Sequence, residues 1–277
     1  MSNYTISPHW LFSNIDNDKV IILDASVKPI TGTANSIDAI IPKAKRFDLK
    51  NVFSNRESKY DYMLPKPDVF ISELQNLGVN DDSIIVVYDN QGIYSSPRAW
   101  FMIKDIGHKQ VYVLNGGLPK WIENGFSTSA EYATVTVKGN ISVKNKPRFF
   151  CDANYLQEHY NDNGFKVIDA RSEGRFLGLE PEPRDGLKSG HIPGSVSLPF
   201  NKVIKDGAFL SSDELKVIFS NLAEVNQQLT FSCGSGITAC ISAMAALIAG
   251  YNNIKVYDGS WSEWGDVENN YPVVTGR

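Results

Sequence analysis

The run Leu229-Thr230-Phe231-Ser232 reads as a buried strand, and it ends on Cys233. Small residues follow, Gly234-Ser235-Gly236, then Ile237 and Thr238, and then an apolar, Ala-rich segment from Ala239 to Gly250 of helical length. Two glycines permit a tight turn that aims consecutive backbone N–H groups inward. Those donors, from Gly234 through Thr238, and the N-terminal end of the helix favour negative charge at the cysteine sulfur. Cys233 is therefore expected to be a thiolate nucleophile that needs no adjacent histidine. The plain alternative is a buried cysteine closing a core strand. The strand-to-helix turn, where open parallel sheets place their active sites, favours chemistry. Cys240 falls inside the apolar segment and Cys151 has no partner in sequence, so both are expected to be structural.

The elements that would position this loop occur twice. Val20-Ile21-Ile22-Leu23-Asp24-Ala25-Ser26 is echoed by Lys166-Val167-Ile168-Asp169-Ala170-Arg171-Ser172, and Ile41-Pro42-Lys43-Ala44 by Ile192-Pro193-Gly194-Ser195. Ile84 to Asp89 corresponds to Gln228 to Cys233, and Val113 to Gly117 with Trp121 to Val256 to Ser260 with Trp264. A separation this long excludes a solenoid and indicates two copies of one domain. Within each copy, continuous β-branched runs alternate with helix-length segments, the pattern of an α/β domain with a mainly parallel sheet flanked by helices. Ser211, followed by Asp213 and Glu214, marks a helix start. The expected division is an N-terminal domain over 1–130, an ordered polar linker over 131–147 and a C-terminal domain over 148–277.

Composition narrows the function classes. The 277 residues carry a formal net charge of −4 and no basic block, which argues against a nucleic-acid footprint or a polybasic membrane anchor. The apolar run ending at Gly250 is too short to span a bilayer, and no secretory signal precedes the first copy. Three cysteines without a C-x-x-C pair and four scattered histidines suit a reducing compartment, with cytoplasmic the default, and predict no metal site.

On Cys233-Gly234-Ser235-Gly236-Ile237-Thr238, Gly190-His191-Ile192-Pro193-Gly194, Asp169-Ala170-Arg171 and Tyr257-Asp258-Gly259-Ser260-Trp261-Ser262-Glu263-Trp264, the chain resembles the tandem-domain rhodanese superfamily. More narrowly it resembles the 3-mercaptopyruvate sulfurtransferases, over nearly its whole length. The resemblance implies two tandem rhodanese-like domains, of which the C-terminal one is catalytic and the N-terminal one inert. The residues agree, because Asp89 stands where Cys233 stands in the second copy, and an aspartate cannot carry sulfane sulfur. The family implies a persulfide on Cys233, a small-molecule sulfur donor, and a thiol acceptor such as thioredoxin, a small reductant or cyanide. It implies no metal and no organic cofactor.

The donor is read from charge. The resemblance places basic residues in the cysteine loop of thiosulfate-preferring enzymes, whereas this loop is uncharged and suits a keto acid. A carboxylate needs a planar, bidentate partner, and Arg175 and Arg184 match the family's mercaptopyruvate-binding arginines. Taken alone, arginines in the acidic, Pro-rich stretch Glu180-Pro181-Glu182-Pro183-Arg184 would as readily be solvated or pair with Glu180 and Glu182. Arg171 and His191 are expected to be structural. The histidine that family members often carry in the first domain, part of a Ser-His-Asp relay, is replaced here by Ile40. Ser235 is thus left with no relay, although its hydroxyl can still donate to a substrate carbonyl. Thiosulfate sulfurtransferase is the nearest rival, and a non-catalytic sulfur carrier is a further one. A phosphatase of the Cys-x5-Arg type is excluded by Ala239 at the arginine position.

Overall fold

The structure is a computed structural model that describes residues 4–30, 38–142 and 149–276. It divides into two compact units, one of Met1–Glu57, Leu64–Pro147 and Asp206–Phe209, the other of Ser58–Met63, Arg148–Lys205 and Leu210–Arg277. The expected limit between linker and second domain, at 147/148, lies outside the described residues. The described part of the expected linker is laid along the first unit, Ala133 N–H donating to Ala44 O, Gly139 N–H to Gln75 O and Ile141 N–H to Val79 O.

In the first unit the strands are β1 (Thr5–Ile6), β2 (Val20–Asp24), β3 (Lys45–Arg46), β4 (Ile84–Tyr88) and β5 (Val111–Leu114). They form a five-stranded sheet in the order β1-β5-β4-β2-β3, and every pair is parallel. The helices are α1 (Pro8–Asn14), α2 (Pro67–Asn76), α3 (Ser96–Asp105) and α4 (Gly117–Glu123). A proline sits in the first turn of α1, α2 and α3, where its missing N–H costs nothing. Strands β2 and β4 are buried along almost their whole length, as continuous apolar runs in a parallel sheet require.

The second unit repeats the plan with β6 (Phe150–Cys151), β7 (Phe165–Asp169), β8 (Val196–Ser197), β9 (Gln228–Ser232) and β10 (Ile254–Tyr257). Their order, β6-β10-β9-β7-β8, is that of the first sheet, and all pairs are again parallel. Its helices are α5 (Ala153–His159), α6 (Glu173–Leu177), α7 (Ser212–Ser220), α8 (Ala239–Ala249) and α9 (Ser260–Trp264). Ser211 caps α7 through a reciprocal capping box with Glu214. The buried α8 ends at Gly250, whose φ of 101° lets its N–H reach Ala246 O and Leu247 O. In both sheets the strand before the loop is central, so the loop leaves the carboxyl edge of a rigid layer. Register equates the two loops: Tyr88 pairs with Asp24 and Ser232 with Asp169, which makes Asp89 the counterpart of Cys233. Among the described residues no helix is long and apolar enough to cross a membrane.

Candidate active site

Cys233 is the first residue beyond β9 and is 2% exposed. Its backbone is held from the α9 side. Cys233 N–H donates to Ser260 Oγ at 3.2 Å, and Trp261 N–H donates to Cys233 O at 2.9 Å. Gly234 O accepts from both Ser262 N–H, at 2.9 Å, and Ser262 Oγ, at 2.7 Å. Ser260 holds this post with a φ of 50°, a conformation that a non-glycine residue adopts at a cost. Its hydroxyl passes the contact on to Tyr257 O at 2.9 Å. The loop then turns through Gly236, at φ 74°, into α8.

The loop is rich in donors and poor in partners. Among the described residues the N–H groups of Gly234, Ser235, Ile237 and Thr238 have no hydrogen-bond partner, and neither does the Ser235 hydroxyl, although Ser235 is 5% exposed. Buried donors are ordinarily paired. Four unpaired donors in one turn at the amino end of an eleven-residue helix, those of Ser235 and Ile237 on buried residues and those of Gly234 and Thr238 on half-buried ones, are an arrangement that can receive negative charge. The other cysteines differ. Cys240 lies within α8, 0% exposed, its Sγ 3.2 Å from Gly236 O. Cys151 lies on β6, where burial pushes its thiol up to about 12.

Arg175 and Arg184 converge on this loop. A Cβ placed at Gly234 would lie 3.3 Å from Arg175 Nη2 and 3.7 Å from Arg184 Nη1, so glycine leaves the space that both guanidinium groups use. Arg175, on α6, is also bound by Glu182, through Nε at 3.2 Å and Nη2 at 2.5 Å. Pairing with Glu182 and facing the loop thus coexist. Glu180 instead accepts from the Ser172 hydroxyl. Arg184 Nη2 is buried and has no hydrogen-bond partner among the described residues, its nearest carboxylate oxygen there being Asp61 Oδ2 at 3.8 Å. Arg184 and Ser262 help to line a cleft of about 350 Å³ with Tyr60, Asp61, Leu187 and Glu268.

Two residues set aside in the sequence are buried and hydrogen-bonded. Arg171 is bound to both oxygens of Asp169, to Glu182 Oε1 at 2.7 Å and to Gly190 O at 2.8 Å, and it lies over the Trp261 ring. His191 Nδ1 is 2.8 Å or less from a carbonyl, Phe176 O at 2.7 Å, and its ring stacks on Phe176. Sequence reasoning named Glu182 as a partner of the arginines, but it missed the roles of Ser260 and Ser262. The two serines lie in a quoted motif, but their contact with a loop some 27 residues away in the chain leaves no local signal.

The first unit closes its loop differently. Asp89 is 0% exposed. It accepts from Gln91 N–H at 3.0 Å on Oδ1, and on Oδ2 from Tyr94, Ser95 and Ser96 N–H at 3.0, 3.0 and 2.9 Å and from Ser96 Oγ at 2.6 Å. Burial pushes this carboxyl above its ordinary value, and the donors act against that rise. Ile40, in the place of the family's histidine, bridges to Ser129 and packs on the apolar core of that unit. Among the described residues no group of three or more His, Cys, Asp or Glu side chains could hold a metal ion.

Comparison with known proteins places these features. The family model for the rhodanese-like domain matches twice, over residues 7–124 and 152–266. The chain is 34% identical to thiosulfate/3-mercaptopyruvate sulfurtransferase 2 of Arabidopsis thaliana, over 97% of this chain and 86% of the relative. It is 33% identical to the 3-mercaptopyruvate sulfurtransferase of Escherichia coli K12, over 95% of each. The crystal structure of SseA from Escherichia coli, described as a 3-mercaptopyruvate sulfotransferase of rhodanese fold, superposes with a TM-score of 0.83 at 30% identity, covering 95% of this chain and all of that one. With two matched domains, two like sheets and a cysteine loop at the end of the second central strand, this chain belongs to the rhodanese family.

Proposed function

We propose that this protein is a sulfurtransferase that moves sulfane sulfur from 3-mercaptopyruvate to a thiol acceptor through a persulfide on Cys233, releasing pyruvate. The observation that carries the reading is the convergence of Arg175 and Arg184 on Gly234, at the mouth of an uncharged loop in which the N–H groups of Gly234, Ser235, Ile237 and Thr238 have no partner among the described residues. The two guanidinium groups suit a carboxylate. The loop suits a sulfur anion.

In the first half-reaction the Cys233 thiolate attacks the substrate sulfur. The S–S bond forms as the C–S bond breaks, and the electron pair leaves on the enolate of pyruvate, which then takes a proton. The N–H groups of Gly234, Ser235, Ile237 and Thr238 stabilise first the thiolate and then the persulfide. Ser235 donates its hydroxyl to the substrate carbonyl, where enolate charge develops. In the second half-reaction a thiolate acceptor, a small reductant or thioredoxin, takes the outer sulfur and restores Cys233, so the scheme is ping-pong. Residues 1–130 form an inert domain, 131–147 a linker and 148–277 the catalytic domain. Three unpaired cysteines support a reducing, cytoplasmic setting.

Thiosulfate is the second reading, because the Arabidopsis relative carries both substrates in its name. Steady-state rates with each donor decide between them. The proposal expects kcat/KM for 3-mercaptopyruvate to exceed that for thiosulfate by a wide margin. A preference for thiosulfate would overturn the donor while leaving the persulfide chemistry standing.

A further inference from the structure

The arginines at the loop are not equivalent, and the difference lies in Glu182. Its side chain is 2% exposed, and both of its oxygens are committed. Oε1 accepts from Arg171 Nη1 and Arg175 Nε, and Oε2 from Arg175 Nη2. Asp169 in turn takes Arg171 in a second bidentate pair. Asp169, Arg171, Glu182 and Arg175 thus form a buried ladder of two carboxylates and two guanidinium groups, whose formal charges cancel. Arg184 stands outside the ladder, and among the described residues its only ion pair is with Asp61, at 3.8 Å.

Geometry and charge both follow from this arrangement. Glu182 grips Arg175 along its Nε/Nη2 edge, so the Nη1 hydrogens and one Nη2 hydrogen stay available for an end-on grip on a carboxylate. Because the ladder is neutral, the loop faces the positive charge of Arg184 alone, which the half-exposed Asp61 carboxylate at 3.8 Å offsets only weakly, rather than the charges of two free guanidinium groups. We infer that Glu182 is a positioning and specificity residue: it orients Arg175 and cancels its charge, so that the site is matched to a donor carrying one negative charge and discriminates against a dianion. This rests on the proposed mercaptopyruvate reading and gives a physical account of its donor preference.

The test uses Glu182→Gln, which removes the charge at nearly constant shape, and Glu182→Asp, which keeps the charge and shortens the reach. Two ratios are measured on each protein: the alkylation rate of Cys233 by iodoacetate over that by iodoacetamide, and kcat/KM for thiosulfate over that for 3-mercaptopyruvate. Both alkylating agents attack the same thiolate, so the first ratio reads local potential and does not depend on the assigned donor. Glu182→Gln is expected to raise both ratios on the order of tenfold at low salt, less as salt is added. Glu182→Asp is expected to leave both ratios unchanged while lowering kcat/KM for both donors in proportion, as Arg175 is drawn away. Thermal melts check folding. If Glu182→Gln does not fold, Arg175→Gln reads the same charge count with opposite sign and should lower the alkylation ratio. Unchanged ratios in Glu182→Gln, or equal shifts in Glu182→Gln and Glu182→Asp, would overturn the inference. If the unaltered protein accepts sulfur from neither donor, the functional reading fails, and the alkylation ratio still judges Glu182.

Discussion

The loops after β4 and β9 begin at equivalent positions of like sheets and solve one physical problem in opposite ways. Each turns from a central strand into a helix and leaves several N–H groups pointing nowhere in the regular structure. In the first unit the Asp89 carboxylate supplies the anion, collecting four N–H groups and a hydroxyl. In the second unit Cys233 stands in that place, and the N–H groups of Gly234, Ser235, Ile237 and Thr238 have no partner among the described residues. An internal carboxylate makes a loop stable and inert. A loop that withholds its anion keeps a site for a reacting one, and pays for it in stability. Absence of a thiol is thus only half of why the first loop is expected to be inert. The other half is that its donors are already used.

The comparison breaks most sharply at the nucleophile. Cys233→Ser should reduce sulfur transfer from any donor to background, since a hydroxyl cannot hold sulfane sulfur, and thermal melting should show the fold intact. Cys240→Ser and Cys151→Ser should retain most activity. Next in size are the arginines, which have no place in the first loop's solution. Arg175→Ala or Arg184→Ala removes a charge-assisted bond worth about 1.5–3 kcal/mol, hence roughly a ten- to hundredfold fall in kcat/KM for 3-mercaptopyruvate. Arg184→Lys should recover little, because an ammonium lacks the planar fork.

The strand–loop–helix unit was legible because continuous apolar runs, glycines and an Ala-rich helix are local signals, and the repeat gave each copy a control. Asp89 was visible as a substitution, but not as an acceptor for its own loop, because such a role depends on how the seven following residues fold back. Arg175 was legible as a ligand or as a partner of Glu182, and the sequence could not express that it does both. Ser260 was quoted in a motif but its role was not legible: its contact with Cys233 N–H depends on a left-handed turn in a remote segment.

A prediction on the first loop sharpens the comparison from its stable side. Asp89→Ala strands buried donors, each costing about 1–3 kcal/mol when left unpaired, and should lower stability by at least about 3 kcal/mol in urea unfolding. The smallest expected effect is at Cys151. Burial raises its thiol to about 12, so it should stay protonated and resist iodoacetamide between about pH 7 and 10, where Cys233 is labelled. Its contribution to stability has the matching sign, since the folded value lies above the unfolded one. That contribution is full below about pH 9 and is lost as pH rises toward 12.

Peptide mass spectrometry after a brief exposure to 3-mercaptopyruvate, without acceptor, tests the central claim most directly. The account predicts a gain of one sulfur atom on the peptide carrying Cys233, removed again on adding a thiol. No gain at Cys233, or an equal gain at Cys151 or Cys240, would contradict it.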